Sequence, residues 1–450
     1  MRPPPRIALL AVGVIAAAVG LAVARGEGEV PADRPVAAAP RPAPSRTPLL
    51  PHADRAPQPT SAGLAAALAG RLTDRALGST LSVSVVDAGT GATLLDIAGQ
   101  AAVLPASTVK IATAVAVLTG LPPDTRLTTR ALAGPLPGDV VLVGGGDVTL
   151  AGPRAAPTSP PAARLVDLAD QVRVALAGVP VRRVLVDDTA FTGPTTGPGW
   201  RPGYVGAGDV APVSALSVDG GRADPAKPAR VADPALAAGA GLAALLAPTA
   251  VVARGTAAPG SAALGAVSSP PVAQLVEAML TRSDNDLAES LARRLAVVHG
   301  RQASFTGAAA AVQATLGPMS PAGTFALVDG SGLSRQDRVR PAGVTALLVL
   351  AARGDDGLLS PVLTGLPVAG FDGTLADRFR AGPAALAAGQ VRAKTGTLEG
   401  VSALAGLVRT AEGRLLAFDV TADAVPVGGT LAAEAALDRL AATLASCGCR

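Results

Sequence analysis

Lysine is scarce in this chain, because only three of its 38 basic residues are lysines: Lys110, Lys227 and Lys394. A chain that otherwise uses arginine for positive charge retains lysine where arginine cannot act. A guanidinium does not deprotonate in proteins, whereas a desolvated ammonium can become a neutral base. Lys110 follows Ser107 by three residues, and this spacing predicts a base beside its nucleophile.

Histidine, aromatic residues and concentrated positive charge are also scarce. The two histidines, His52 and His299, are far apart in sequence, so we expect no metal site. Aromatic residues make up 2% of the chain and the net charge is only +4 over 450 residues. This composition provides neither an aromatic ladder nor a basic stripe, so nucleic acid is not an expected partner. We expect no cofactor, and the oligomeric state stays open.

The first 25 residues have the pattern of an export segment. Two arginines precede an uncharged apolar run over residues 7–24, which ends in the small-residue sequence Ala22-Val23-Ala24. Residues 1–25 are therefore either a cleaved signal peptide or a retained membrane anchor, because the run is also about long enough to span a bilayer. In both cases the basic start places the rest of the chain outside the cytoplasm. Residues 26–60, rich in proline and alanine, predict a disordered tether.

The cysteines are confined to the tail at residues 447–450. Cys447 and Cys449 are separated by one residue. An exported protein meets an oxidising environment, in which this pair can close a disulfide, but it can equally form a frayed end. Both alternatives stay open.

The hydrophobic pattern divides the rest of the chain into one discontinuous domain and an insert. Residues 61–120 and 271–446 predict an α+β domain in which a mostly antiparallel sheet lies between helical layers. Residues 121–270 change to short β-like runs broken by glycine and proline, which predict one inserted, β-rich domain. The predicted helices cover 63–77, a segment from 107 onward, 272–280, 286–298 and 430–444, and the predicted strands 81–85, 94–97, 140–143, 184–186, 391–395, 402–408 and 415–420.

Three short motifs occur in order along the predicted domain: Ser107-x-x-Lys110, Ser283-x-Asn285 and Lys394-Thr395-Gly396-Thr397. Taken singly, each has an ordinary structural interpretation. Ser107 can be a helix N-cap, and Ser283-Asp284-Asn285 can be an Asx-rich helix start. Their joint occurrence, on a predicted helix, loop and strand, is far less common by chance.

Together these motifs resemble those of the penicillin-binding protein and serine β-lactamase superfamily, in which a helix, a loop and an edge strand supply the active site. Further segments resemble the class C low-molecular-mass D-Ala-D-Ala carboxypeptidases, peptidase family S13. These segments are Asp286-Leu287-Ala288-Glu289, Asp329 to Arg335, Gly373-Thr374-Leu375-Ala376 and, in the insert, Gly144-Gly145-Gly146-Asp147 and Asp188 to Phe191 with Trp200. The resemblance covers roughly residues 63–444 and implies the transpeptidase fold of that superfamily.

The resemblance implies a role for each motif residue. Ser107 is the nucleophile and Lys110 its base, because a serine hydroxyl is a poor nucleophile until a neighbour takes its proton. Ser283 relays a proton toward the leaving amine, and Asn285 orients Lys110 and the substrate amide. Lys394, with the hydroxyls of Thr395 and Thr397, binds the substrate carboxylate, while Gly396 lets the substrate backbone approach. Backbone N–H groups of Ser107 and Thr397 hold the oxyanion.

The resemblance implies an exported serine DD-peptidase that cleaves the terminal D-Ala-D-Ala bond of peptidoglycan stem peptides through an acyl-enzyme, with β-lactams as inhibitors. The same site can cut cross-links as an endopeptidase. Two alternatives stay open. A serine β-lactamase has overlapping motifs, but the long insert and the Asp329 to Arg335 segment count against it. A catalytically silent wall-binding protein of the same fold has no need of Ser107, Lys110 and Lys394.

Two other acidic or glycine-rich patterns have no predicted chemical role. Asp187 and Asp188 are adjacent in a predicted strand, so their side chains point to opposite faces and do not form an acid pair. Gly144-Gly145-Gly146-Asp147 lacks the following lysine that a phosphate loop requires. We interpret both as structural.

Overall fold

A computed structural model describes residues 56–354 and 357–449. The predicted signal peptide or anchor at residues 1–25, most of the predicted tether and Arg450 lie outside the described residues. The last residues of the predicted tether contact the domain, since Ala56 is buried and the Thr60 backbone N–H donates to the Cys449 carbonyl over 2.8 Å. Cys447 and Cys449 are joined by a disulfide. Within the described ranges, no helix has the length and apolarity needed to cross a membrane.

The described residues form eleven α-helices and twelve strands. Its α-helices are α1 (Ser61–Leu72), α2 (Val109–Gly120), α3 (Leu165–Leu176), α4 (Tyr204–Ala207), α5 (Pro234–Leu246), α6 (Val272–Arg282), α7 (Asn285–Val298), α8 (Phe305–Leu316), α9 (Pro341–Arg353), α10 (Ser360–Gly365) and α11 (Thr430–Ala445). Its strands are β1 (Leu81–Asp87), β2 (Thr93–Ile97), β3 (Thr128–Ala133), β4 (Asp139–Val143), β5 (Arg183–Asp187), β6 (Val251–Arg254), β7 (Ala263–Ser268), β8 (Phe325–Ala326), β9 (Arg338–Val339), β10 (Val391–Leu398), β11 (Val401–Arg409) and β12 (Leu415–Ala422). The predicted elements of the main domain are therefore present, with ends shifted by a few residues.

The main sheet is antiparallel and has the strand order β10-β11-β12-β1-β2. Successive side chains of a strand point to opposite faces. In β11, Leu404 packs with α1 and α11, whereas Ala405 packs in the core that contains α2 and α6 to α9. Helices thus cover both faces, which explains the continuous hydrophobic run of β11. This arrangement confirms the predicted α+β fold, and it leaves β10, the strand with the Lys394 motif, at one edge.

Helix α2 is buried on all sides. The sequence pattern predicts one buried face, through Ile111, Val115 and Leu118, but every residue over 109–118 is buried. The reason is its position, since α2 packs against α6, α7, α8 and α9. Small alanine side chains between the larger residues allow these neighbours to approach, and the buried helix gives the Ser107 turn at its start a rigid support.

Residues from the predicted insert form a second sheet, with strand order β6-β5-β4-β3-β7. The β4, β5 and β6 strands are parallel, whereas β3 pairs antiparallel with β4 and β7. Helices α3 and α5 cover this sheet and share its core. A prediction based on short β-like runs therefore overlooks the helices that parallel strands require as connections. The exact limits of the two domains stay a prediction: residues 121–270 for the insert, and residues 61–120 and 271–446 for the domain that it interrupts.

Candidate active site

Ser107 lies in a short 3₁₀ turn, Ala106–Thr108, just before α2. The sequence pattern predicts a helix that begins at the serine, but α2 begins at Val109. Ala106 has a left-handed backbone with φ of 49°, and the Thr108 hydroxyl donates to the Pro105 carbonyl over 2.8 Å. This strained turn presents the Ser107 side chain to a cleft instead of using it as a helix cap.

Lys110 is one turn further along and is fully buried. Its Nζ atom donates to Ser107 Oγ over 2.9 Å and to Asn285 Oδ1 over 2.6 Å. Burial lowers the pKa of Lys110 to about 8, against the opposing effect of nearby carboxylates such as Asp329 and Glu289. Lys110 is therefore not a solvated side chain of the first helical turn. A buried lysine with a lowered pKa, in contact with a serine hydroxyl, can accept that hydroxyl's proton.

The loop between α6 and α7 brings Ser283 and Asn285 to the two lysines. Ser283 has a left-handed backbone with φ of 56° and ends α6. Asp284 caps α7, since its carboxylate accepts the Leu287 N–H over 2.9 Å. Asp284 alone therefore caps the start of α7, and the side chains of Ser283 and Asn285 are available for other contacts. Asn285 contacts Lys110 through Oδ1 and donates from Nδ2 to the Asp209 carbonyl over 2.8 Å.

Lys394 lies on the edge strand β10 and is also fully buried. Its Nζ atom donates to Ser283 Oγ and to the Thr395 carbonyl, each over 2.8 Å. Burial, with a smaller contribution from the positive charge of Lys110, lowers the pKa of Lys394 well below its usual range. The Lys394 Nζ atom therefore lies behind the surface of the cleft, and the Ser283 hydroxyl, which lines the cleft, is hydrogen-bonded to it.

Gly396 allows β10 to lie against the Ser107 turn. A Cβ atom at this position would lie 2.8 Å from the Pro105 carbonyl oxygen and 3.2 Å from Thr108 Cγ2. Contacts below 3.0 Å with a backbone atom require the backbone to move. The sequence interpretation assigns this glycine to the approach of a substrate, whereas the structure adds a contact within the protein itself.

The two threonines of the strand motif have different partners. The Thr395 and Thr374 hydroxyls are 2.9 Å apart, and the Thr397 hydroxyl donates to Glu434 Oε1 over 3.0 Å. Glu434 lies on α11, far away in sequence, and no feature of the sequence indicates its contribution. Thr374 lies in the Gly373-Thr374-Leu375-Ala376 segment, whose likeness to the S13 pattern is the signal that could have marked it.

A cleft of about 680 Å³ joins these residues, and Ser107, Ser283, Asn285, Thr395 and Thr397 line it. The residues from the predicted insert that line the same cleft are Arg201, Tyr204 and Asp209. Arg201 forms an ion pair with Glu399 in the turn after β10. The insert therefore borders the site, which sequence patterns alone do not reveal because the contact depends on tertiary packing.

The other patterns of the insert have structural partners. Asp187 accepts the N–H groups of Thr189 and Ala257, each over 3.1 Å, and Asp188 pairs with Arg254 over 2.6 Å. In residues 56–354 and 357–449, no group of three or more histidine, cysteine or acidic side chains is placed to hold a metal ion.

The fold and the site together define a class. A serine and a buried lysine at the start of a central helix, a second lysine on an edge strand, and a serine and an asparagine between two helices are the arrangement of the penicillin-binding proteins and serine β-lactamases. A sequence model described as "D-Ala-D-Ala carboxypeptidase 3 (S13) family" matches residues 64–230 and 224–444. The chain belongs to this family.

Similar proteins agree with this assignment. The chain is 41% identical over 455 residues to the "Carboxypeptidase DacB" of Mycolicibacterium smegmatis, an alignment that covers 98% of this chain and 96% of that protein. Its fold is similar to the crystal structure of penicillin binding protein 4 (dacB) from Haemophilus influenzae, with a TM-score of 0.68, 22% identity, and coverage of 84% of this chain and 97% of the other. The same Haemophilus protein has also been solved in complex with a β-lactam (TM-score 0.63, 22% identity, 83% and 97% coverage).

Proposed function

We propose that this chain is a serine DD-carboxypeptidase that removes the terminal D-Ala from peptidoglycan stem peptides through an acyl-enzyme on Ser107. The observation that carries the proposal is the contact of 2.9 Å between Lys110 Nζ and Ser107 Oγ, made by a lysine with no exposed surface. Removal from water disfavours the ammonium, so a neutral amine forms near neutral pH at the position where the serine proton must go.

The reaction follows from these contacts. Ser107 Oγ bonds to the carbonyl carbon of the penultimate D-Ala, and its proton passes to Lys110. Backbone N–H groups of Ser107 and Thr397 stabilise the resulting oxyanion. The C–N bond then breaks as the amine of the terminal D-Ala receives a proton through Ser283, and water later hydrolyses the ester in the same site.

Substrate recognition rests on the edge strand. We assign the terminal carboxylate to the cleft wall formed by Thr395 and Thr397, next to the buried Lys394, whose protonated form the negative charge of a bound carboxylate would stabilise. A cation in a low-dielectric site attracts a carboxylate more strongly than it would in water. The same geometry fits the carboxylate of a penicillin, so we propose β-lactams as inhibitors that acylate Ser107.

The endopeptidase activity and the two alternatives differ in the leaving group, in the lifetime of the acyl-enzyme and in whether an acyl-enzyme forms at all. Cleavage of D-Ala-containing cross-links needs no new chemistry, only room for a longer leaving group in the cleft. A β-lactamase would release the penicillin product quickly, and family membership favours the peptidase over it. A silent wall-binding protein would not be acylated, and the intact pair of Lys110 and Ser107 counts against it.

We further propose that the folded domain works outside the cytoplasm, facing the cell wall. The support is the basic and apolar pattern of residues 1–25, together with a substrate class that occurs outside the membrane. The membrane enters this proposal only through a retained N-terminal anchor. Nucleic acid has no place in it, and the oligomeric state is left open.

One experiment tests the central proposal. The protein is incubated with a labelled penicillin and digested, and the labelled peptide is identified by mass spectrometry. We expect one label per chain on the Ser107 peptide and none in the Ser107→Ala variant. Release of D-Ala from a pentapeptide ending in D-Ala-D-Ala should be lost in the same variant. Rapid turnover of the label would favour the β-lactamase, and absence of labelling the silent protein.

A further inference from the structure

The Lys110 ammonium has a third partner that belongs to none of the three motifs. Besides Ser107 Oγ and Asn285 Oδ1, its Nζ atom donates to the backbone carbonyl of Ser331 over 2.6 Å. Ser331 is fully buried and lies in the loop between β8 and β9. An ammonium has three N–H donors, so these three acceptors use all of them.

The same three partners determine where the lone pair of a neutral Lys110 points. A neutral amine has two N–H donors and one lone pair. The Asn285 side-chain carbonyl and the Ser331 backbone carbonyl can only accept, whereas the Ser107 hydroxyl can donate. The two carbonyl oxygens therefore hold the two N–H groups, and the lone pair is left facing the Ser107 hydroxyl. Without the Ser331 carbonyl, the amine could rotate away from its nucleophile.

Glu289 holds the peptide that carries this carbonyl. Its Oε1 atom accepts the N–H of Gly330 over 3.1 Å and the N–H of Ser331 over 2.9 Å. Glu289 is fully buried on α7, four residues after Asn285, so both side chains lie on one face of the helix. One of them contacts the lysine directly, and the other contacts the backbone behind it.

The loop is also tied to the Ser107 turn. Asp329 accepts the N–H groups of Gly332 and Ser334, each over 2.7 Å, and shares the Ser331 N–H with Glu289 through a longer contact of 3.2 Å. Gly332 has a φ of 82°, and a Cβ atom there would lie 2.0 Å from the Ala106 carbonyl oxygen. The loop thus packs directly on the residue before the nucleophile, and its backbone amides are satisfied by buried carboxylates because no strand pairs with them.

We propose that Glu289 is a positioning residue for acyl transfer: by holding the amides of Gly330 and Ser331, it keeps the Ser331 carbonyl on Lys110 and the amine's lone pair on Ser107. The inference rests on the proposed function, since it requires that Lys110 takes the serine proton. Glu289 does not line the cleft and touches no reacting atom. It acts on Lys110 through the Ser331 peptide and, when ionised, also through its own charge, which raises the pKa of Lys110.

The pH dependence of acylation reports on this contact. The titratable groups that face Lys110 are Asp284, Asp286, Glu289, Asp329 and Lys394, and those that face Glu289 are Asp329 and Arg293. Burial raises the pKa of Glu289 to about 8, so this group titrates in the same pH range as Lys110. A carbonyl acceptor stabilises the ammonium more than the amine. Loss of the Ser331 contact should therefore lower the pKa of Lys110 and move the acid limb of the acylation rate to lower pH, further than loss of the Glu289 charge alone moves it, while misplacement of the amine lowers the maximal rate.

Three folded variants test the proposal. Their rates of acylation by a labelled penicillin are measured from about pH 5 to about pH 9. Glu289→Ala removes the acceptor, and we expect the maximal rate to fall roughly 10- to 100-fold, as small misplacements do, with the acid limb moved to lower pH. Glu289→Gln keeps an oxygen that accepts both N–H groups, so its rate should stay within about threefold of wild type. Ser290→Ala is the matched control, because the buried Ser290 hydroxyl on the same helix donates to the Gly146 carbonyl and has no contact with Lys110.

The outcomes separate the alternatives. An acid limb that lies at the same pH in Glu289→Ala and Glu289→Gln, or a Glu289→Gln variant as slow as Glu289→Ala, would overturn the positioning role. If Glu289→Ala does not fold, Glu289→Asp replaces it, because a side chain one methylene shorter cannot hold both amides and should show the same shift. If the wild-type protein is labelled at Ser107 and the Glu289 variants are acylated as the wild type is, this inference alone is contradicted. Unlabelled wild-type protein overturns the proposed function and this inference with it.

Discussion

At the scale of single residues, the two buried lysines differ in whether their charge must be lost. Lys110→Arg keeps the positive charge but cannot supply a neutral base, so acylation by a labelled penicillin should fall by a factor of roughly 10² to 10⁴. Lys394→Arg keeps a cation for the substrate carboxylate and should reduce the rate less, through misfit against β10. Both rates are measured on variants shown to be folded. A Lys110→Arg variant that reacts nearly as fast as wild type would rule out Lys110 as the base.

The lowered pKa of Lys110 also predicts how acylation depends on pH. Burial lowers this pKa to about 8, and only the neutral amine can accept the Ser107 proton. The rate should therefore rise about tenfold per pH unit while the pH is well below 8 and level off above it. Rates measured from acid to mildly alkaline pH check this expectation, with circular dichroism showing that the fold persists. A rate that falls as the pH rises through this range would assign Lys110 a different role.

Residue identities carried most of the information about the site. Lys110 and Lys394 were conspicuous because the chain has so few lysines, and both were found at hydrogen-bonding distance from the predicted serines. Glu434 and the Ser331 carbonyl could not be predicted in this way. Glu434 is one of three charged residues on α11, with Asp438 and Arg439, and nothing in the sequence distinguishes it from them. A backbone carbonyl is present at every residue, so the sequence does not mark that of Ser331.

At the scale of elements, the contact of β10 with the Ser107 turn predicts the effect of Gly396→Ala. The new Cβ atom would lie 2.8 Å from the Pro105 carbonyl, so the strand or the turn must move. We expect a loss of about 1–3 kcal/mol of stability from overpacking and a fall in acylation of roughly tenfold or more from displacement of the nucleophile. Denaturant unfolding and labelling rates measure the two effects.

Gly70→Ala in α1 is the matched control for that substitution. No heavy atom other than those of its chain neighbours and its own helix backbone lies within 4 Å of a Cβ atom at Gly70, and alanine is favoured over glycine in a helix by about 0.5–1 kcal/mol. This variant should gain slightly in stability and acylate at the wild-type rate. An equal loss of acylation in both variants would show that the contact of Gly396 is unimportant.

Elements were predicted well where local patterns decide them and less well where tertiary packing does. Alternation of apolar and polar residues predicts β1, apolar runs joined by short glycine-containing turns predict β11 and β12, and the polar break at Ser283-Asp284-Asn285 predicts the end of α6. The start of α2 was misplaced by two residues because the left-handed backbone of Ala106 is imposed by packing with the loop at Gly332. Helices α3 and α5 were not predicted, although parallel strands in the insert require helical connections.

At the scale of the whole molecule, the N-terminal pattern predicts where the protein is found. Export would bring the mature protein to the extracytoplasmic space, either released or held by its apolar segment. Mass spectrometry of protein from the native cell distinguishes the two: an N-terminus near Arg25 indicates cleavage, and an intact first segment in the membrane fraction indicates an anchor. Recovery of the mature protein from the cytosol would contradict the proposed location.

The insert combines regions that should respond differently to substitution. Asp188 pairs with Arg254 over 2.6 Å and accepts the Ser214 hydroxyl over 3.1 Å, and all three residues belong to the predicted insert. Asp188→Ala should therefore leave acylation by a small β-lactam close to the wild-type rate if the fold survives. A loss as large as that of Lys110→Ala in a folded Asp188→Ala variant would show that the insert takes a chemical step.

Trp200 is the contrasting position in the same insert, because its indole N–H donates to Asp329 Oδ2 over 2.7 Å. Asp329 also holds the loop whose Ser331 carbonyl contacts Lys110. Trp200→Phe keeps a ring to pack against Phe305, whose centroid lies 5.2 Å from the indole, but it removes one donor from a buried carboxylate. Such a loss costs about 1–3 kcal/mol, and we expect roughly a tenfold slower acylation with little change in secondary structure. If Trp200→Phe and Asp188→Ala both acylate like wild type, the insert affects the catalytic lysine through neither contact, and its role is confined to the approach of the substrate.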